Sequence, residues 1–262
     1  MSTEESPGWY LYGIVAAGSA VDGNGVQVVS EGPVAGVASR VPLEEFDPSV
    51  LPERLGDAVW LEQKIRAHEQ VLEGVLESAS VVPCRFCTVY RTEEELRGFL
   101  SERRDDLSQA LSRVDGRVEL GVKAFVDRER FASGGAVRND TIRELAEHAS
   151  KVESGRAYLE MRRLVQLVTE ELMRFKDDLS AHLHDRLTTA SDDGLQLHLQ
   201  RPEVTGRDED MVFNSAYLVS DQPGFERELG ALADEYRESG VELELTGPWP
   251  PYNFVPSELR AP

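Results

Sequence analysis

Two cysteines three apart, in Cys84-Arg-Phe-Cys87, most invite a chemical reading. A redox pair belongs at a helix N-terminus, where the backbone dipole lowers a thiol pKa. Here the nearest helix start is marked several residues later, by Thr92 and Glu95 at capping-box spacing. In extended chain, residues three apart face opposite sides, which makes a bridge awkward. As zinc ligands the pair is half a set, because no second cysteine pair exists. Two small, partly buried residues of a strand is the reading favoured; a redox or metal-binding protein built on Cys84 and Cys87 is its rival.

The five histidines do not assemble. His182 and His184 are two apart on a predicted helix and share no face. His68 falls on an apolar helical stripe, where a hydrogen-bonded core histidine is expected. Pairs such as Glu170 and Glu171 lie on a charged helix face, and 48 acidic residues make such pairs common. No His-Glu-x-x-His, Gly-x-Ser-x-Gly or phosphate-binding glycine loop occurs. The expectation is no catalytic residue, no metal and no cofactor.

The chain has 262 residues, enough for one large or two ordinary domains. Twenty-eight basic residues against 48 acidic ones leave a net charge of −20. Such a chain is repelled by nucleic acid and anionic lipid; it favours solubility and, more sharply, a basic partner. The opening Met1 to Gly8 lacks the basic and apolar regions of a signal peptide. No run approaches the roughly 20 apolar residues that span a bilayer, so a cytoplasmic protein is expected. The sequon Asn139-Asp-Thr141 carries no weight without secretion.

These residues must be held by the following elements. Trp9 to Val15, Val26 to Ser30 and Val34 to Val41 read as strands, the first two separated by a turn over Gly18 to Gly25. Leu43 to Ala58 is irregular. Leu61, Ile65, His68, Leu72 and Leu76 predict a helix over 58–79. An extended segment over 81–90 precedes the helix that Thr92 caps, with Leu96, Phe99, Leu100, Leu107 and Leu111 on its buried side. Val118 to Val126 alternates as a strand. Then follow a long helix over 158–187, strands near 194–201 and 211–220, a helix marked by Phe225, Leu229, Leu232 and Tyr236, and a strand through Val241, Leu243 and Leu245. From 118 onward this is a split βαβ order. The fold expected is α+β with two lobes: a mixed α+β domain over 1–128, and a modified ferredoxin-like domain over 129–262 carrying the long helix. The polar stretch 128–139 holds the boundary. The long helix shows an apolar stripe of Met161, Val165, Val168, Leu172, Phe175 and Leu179. It packs on its own sheet or offers a seam to a partner helix.

The last strand runs into Gly247-Pro-Trp-Pro-Pro-Tyr-Asn-Phe254. Its prolines lack the N–H that a central ladder needs, which predicts a stiff extended strap. In polyproline geometry Trp249 and Tyr252 share a face. The strap either closes the core of its own lobe or presents aromatics to another protein.

Gly247-Pro-Trp-Pro-Pro-Tyr-Asn-Phe-Val255 resembles the signature ending of the gas vesicle GvpF/GvpL family. Tyr10-Leu-Tyr-Gly-Ile-Val15, Val82-Pro-Cys-Arg-Phe-Cys-Thr88, Gly155-Arg-Ala-Tyr-Leu159 with Arg162-Arg163, and Asn214-Ser-Ala-Tyr-Leu-Val219 resemble four further family segments, in the same order. Cys87 departs from the family pattern, which has glycine there; the expectation is that cysteine avoids positive φ. The resemblance implies an accessory or minor structural component of gas vesicles, located at the vesicle or in the cytoplasm. It implies binding to the main shell protein, with other accessory proteins as further partners, and no enzymatic activity. The residues expected to meet the shell protein are Trp249, Tyr252 and Phe254 on the strap, with Arg162 and Arg163 on the long helix. Arg85 and Phe86 are a lesser candidate, Phe86 being expected to be buried. A small-molecule sensor on the ferredoxin-like lobe is a further reading by fold analogy alone.

Overall fold

The computed structural model describes residues 7–21, 25–131, 144 and 154–260, with the side chains of the long helix described from Met161 onward. The turn residues Asp22 to Asn24, the sequon at 139–141, most of the polar stretch 128–139 and the side chains of Gly155 to Leu159 lie outside the described residues. The chain forms two compact units, Met1–Glu119 with Pro248–Pro262, and Leu120–Gly247. This differs from the division at 128/129. The strand at 118–126 belongs mostly to the second unit, and the proline-aromatic strap belongs to the first.

The first unit is built on β1 (Pro7–Ala16), β2 (Gln27–Glu31), β3 (Val34–Pro42), β4 (Val82–Pro83) and β5 (Val89–Tyr90). The sheet order is β2-β3-β1-β4, with β5 also on β1. β1 is central and buried along nearly its whole length, which its unbroken run of aromatic and aliphatic residues allows. Its antiparallel register with β3 shifts between Leu11 and Gly13. That bulge changes which residues share a face. Trp9, Leu11 and Ile14 enter one core cluster, while Tyr10, Tyr12 and Val15 enter those on the other side. Gly13 is required at the bulge: a Cβ there would stand 2.7 Å from Val81 Cγ2.

Helices cover both faces of this sheet. α1 (Leu51–Gly56) precedes α2 (Ala58–Leu76), whose Leu72 and Val75 pack on Val15 and Val37. Asp57 caps α2 by accepting the Val59 and Trp60 N–H groups at 3.0 and 3.3 Å. On the opposite face lie α3 (Glu93–Glu102) and α4 (Arg104–Val114), with Leu96, Leu100, Leu107 and Leu111 in one core with Leu11 and Val82. The predicted single helix breaks at Arg103, which ends α3 and precedes α4 at φ −104°, ψ 12°. Thr92 caps α3 through the Glu95 N–H at 3.2 Å, and Glu95 accepts the Arg91 N–H in return at 2.9 Å.

The second unit is built on β6 (Val118–Val126), α5 (Ser154–Thr189), β7 (Asp193–Gln196), β8 (Asp210–Val219), α6 (Gln222–Tyr236) and β9 (Val241–Trp249), the first two residues of β6 and the last two of β9 belonging to the first unit. Its sheet order is β7-β8-β6-β9. This is the order of a split βαβ arrangement. β7 is shorter than the predicted 194–201. Beyond Gln196 the chain stays beside β8 through Leu197 N–H to Asn214 O, 2.8 Å, and Asn214 Nδ2 to His198 O, 2.7 Å.

Candidate partner-binding surface

The strap is not a free polyproline rod. After Trp249 it turns through a 3-10 segment, Tyr252–Phe254, and a second, Ser257–Leu259. Its side chains then divide between the two cores of the first unit. Tyr252 packs with Leu72 and Val75 on the α2 side, and Val255 and Leu259 join Leu107, Leu111 and Val82 on the α4 side. Phe254 is also buried. Polar contacts fix the same path. Tyr252 donates to Glu69 Oε1 at 2.9 Å. The Asn253 backbone N–H and Nδ2 donate to Glu119 at 2.8 and 2.5 Å. The Arg85 N–H donates to Arg260 O at 2.8 Å, and its guanidinium donates to Ser257 O at 3.2 Å. β4 is the terminal strand of its sheet, so the strap fastens to the loop that follows an edge.

Trp249 and Tyr252 therefore do not share a face. Pro251, at φ −74° and ψ 60°, leaves polyproline geometry between them and breaks the alignment it would have given. Tyr252 and Phe254 are occupied within their own unit, whereas Trp249 is 39% exposed at the end of β9. Burial pushes the carboxyls of Glu69 and Glu119 above the usual range, opposed by the hydrogen bonds from Tyr252 and Asn253. Neither carboxylate was singled out in the sequence. Glu119 interrupts an alternating strand as any solvent-facing residue would, and only the fold brings Asn253 to it.

The Cys84–Cys87 segment forms a turn between β4 and β5 rather than continuous extended chain. Both thiols are free; Cys84 is fully buried and Cys87 half-buried. Burial pushes both thiols up, that of Cys87 to about 11, which is the opposite of an activated redox cysteine. The expectation for Cys87 is overturned. It adopts φ +64°, the left-handed conformation, and no other described non-glycine residue has positive φ. The glycine of the family pattern thus answers a backbone requirement that cysteine meets at a cost.

That turn is tied to the α2 face. The Cys87 N–H donates to Tyr10 Oη at 3.0 Å, and Tyr10 Oη lies 3.0 Å from His68 Nδ1. Tyr10 Oη thus joins the Cys87 turn to the His68 ring, the donor between Oη and Nδ1 being set by the imidazole tautomer. His68 is buried, and burial lowers its pKa to about 4. Phe86 packs against its ring, with centroids 5.9 Å apart. His68, Phe86 and Tyr10 are thus core. His182 and His184 point apart, to Tyr236 Oη at 2.5 Å and Tyr217 Oη at 3.1 Å. Among the described residues no group of three or more His, Cys, Asp or Glu converges on a metal position.

On α5 the apolar stripe changes character along its length. Leu172, Leu179, Leu183 and Leu187 are buried, and Phe175 stacks on Phe131 at 4.9 Å. Earlier in the helix Met161 and Val165 are 53% and 59% exposed. Arg162 and Arg163 are exposed beside them. No helix among the described residues is long and apolar enough to cross a membrane.

A two-unit α+β protein whose first core is closed by a C-terminal proline-aromatic strap is the class these observations define. Residues 8–256 match the family model described as gas vesicle synthesis protein GvpL/GvpF, and the chain belongs to that family. It is 32% identical over 235 residues to gas vesicle protein L of Streptomyces sp. (strain CB03234), covering 90% of this chain and 85% of that one. It is 26% identical over 205 residues to gas vesicle protein F of Haloferax mediterranei, covering 76% and 73%. In structure it is similar to the gas vesicle protein GvpF of Anabaena sp. PCC7120, with a TM-score of 0.65 at 19% identity over 96% of this chain and 97% of that one.

Proposed function

We propose that this protein is an accessory or minor structural component of gas vesicles that binds the main shell protein and assists its assembly into the wall. The observation that carries the reading is the family match across residues 8–256. It acts at the vesicle or in the cytoplasm, without a catalytic step. Its charge of −20 suits a dispersing role, because strong like charge opposes self-association of whatever the protein holds. Of the strap aromatics, Trp249 is the one with surface to offer. Tyr252 and Phe254 support it indirectly, by holding the strap down. On the long helix, Arg162 and Arg163 flank the exposed Met161 and Val165, a combination of apolar surface and hydrogen-bond donors suited to a protein contact.

The test is co-expression of this chain with the main shell protein, followed by pull-down and measurement of soluble shell protein. Binding and a rise in soluble shell protein are expected. Unchanged solubility together with no recovery of the shell protein would overturn the proposal. Trp249→Ala and Arg162→Ala/Arg163→Ala variants, each checked for an unchanged unfolding midpoint, locate the contact.

A further inference from the structure

A cleft of about 640 Å³ opens in the first unit, where the C-terminal ends of α2 and α4 come together beside the end of β1. Five serines line it, Ser19, Ser78, Ser80, Ser108 and Ser112, together with Asp115. No lysine, arginine or histidine lines it among the described residues. The strap, the cysteine turn and the long helix contribute nothing to it.

Its chemistry follows from where the hydroxyl protons go. Ser78 Oγ donates to Ala20 O at 2.9 Å, and Ser80 Oγ donates to Asp115 Oδ1 at 3.1 Å. Ser108 Oγ donates to Arg104 O at 2.7 Å, and Ser112 Oγ donates to Ser108 O at 2.9 Å. Four of the five serines have thus committed their only hydrogen within the protein and keep lone pairs. Ser80 also accepts the Gly116 N–H at 3.0 Å, which holds it against Asp115. The cleft therefore presents acceptors and one carboxylate. α2 points its negative dipole end at it with no basic residue in its last turn, whereas the end of α4 is partly neutralised by Arg113 and by Arg117, which donates to Arg113 O and Asp115 O at 3.0 and 3.2 Å. Ala16, Pro33, Leu76 and Leu111 add apolar wall.

We infer that this cleft binds a primary alkylammonium group, with the ammonium on Asp115 and the serine oxygens and the methylene stem against Leu76, Leu111 and Pro33. An ammonium brings three donors and no acceptor, the complement of this lining. A carboxylate or phosphate would meet mostly lone pairs and negative charge, with Ser19 the one lining serine whose hydroxyl hydrogen is not committed among the described residues. The group can arrive on a lysine side chain of a partner protein or on a free polyamine.

The test is a titration of the 15N-labelled full-length chain, followed by amide shifts, with n-butylammonium and with butan-1-ol as the uncharged control. Saturable shifts confined to Ser19, Ser78, Ser80 and Gly116 are expected for the cation, with at least tenfold weaker binding of the alcohol. Asp115→Asn weakens the cation at least fivefold. Ala16→Phe, at an exposed strand end, fills the cleft and removes the response. Nα-acetyl-lysine amide and spermidine then separate the sources: cleft-confined binding of the first at equal or greater strength assigns a side chain, and preference for the second assigns a polyamine. Shifts scattered over the acidic surface without saturation, equal binding of butan-1-ol, or an Asp115→Asn variant that binds as well as the parent would overturn the inference.

Discussion

Asn253 gives both its backbone N–H and its side-chain Nδ2 to the two oxygens of the buried Glu119, at 2.8 and 2.5 Å. A carboxylate is suited to this grip because both oxygens accept. Glutamine must turn a donor toward one of the two Asn253 donors. Glu119→Gln is therefore expected to lower stability by about 1–3 kcal/mol, the cost of an unsatisfied buried group, and to speed amide exchange at Asn253. A urea midpoint and an Asn253 exchange rate equal to the parent's would show that the grip does not hold the strap.

The strap aromatics separate by burial. Phe254→Ala removes a buried ring and should cost about 3–5 kcal/mol. Tyr252→Phe should cost about 1 kcal/mol, through the bond to Glu69. Trp249→Ala should cost about 1 kcal/mol or less, while reducing shell-protein recovery in the pull-down. Denaturant unfolding of the three variants checks the order. A Trp249→Ala protein as destabilised as Phe254→Ala would make Trp249 core.

Cys87 sits at φ +64°. Cysteine pays about 1–2 kcal/mol there, partly offset because glycine gives up more freedom on folding. Cys87→Gly is expected to raise stability by up to about 1 kcal/mol, and Cys87→Val to lower it, since a branched Cβ is worst in this region. Urea midpoints in the reverse order would refute the strain.

His68 should leave a mark on the acid limb of stability. Its folded pKa, lowered to about 4 by burial, lies below the ordinary 6.5. The unfolded chain therefore binds the proton first, and stability is lost as pH falls from about 6.5 toward 4, by up to on the order of 3 kcal/mol. Glu69 and Glu119 act with the opposite sign, because carboxyls raised in the folded state favour folding on acidification. The comparison that isolates His68 is the parent against His68→Phe, both measured between pH 7 and 4. The variant's profile should be flatter by the His68 contribution, and parallel profiles would count against it.

What was legible in the chain was local. The alternation of Val118 to Val126, the Thr92–Glu95 capping pair and the order of elements after 118 follow from periodicity and caps, and they formed as read. The strap's destination was not legible, because nothing at Glu69, Arg85 or Glu119 marks them as neighbours of residues near 255. Polyproline spacing put Trp249 beside Tyr252, and burial of Tyr252 against Leu72 outweighed that preference. The backbone demand at Cys87 did leave a signal, in the glycine of the family pattern, but the residue type argued against it. The serine cleft left none. Its five hydroxyls come from a loop, the end of one helix and the face of another, and the shared property of four of them is where their hydrogens point.

The strap has a further consequence in time. Val255 and Leu259 complete a core whose other walls are β1, β4, α3 and α4. A chain emerging from the ribosome makes the whole of Leu120–Gly247 before it makes the piece that closes Met1–Glu119. The first-made domain is thus the last able to finish folding. Until Tyr252 and Val255 clear the exit tunnel, the nascent protein carries an open apolar seam, at the stage when it is most available to a chaperone or to another hydrophobic chain.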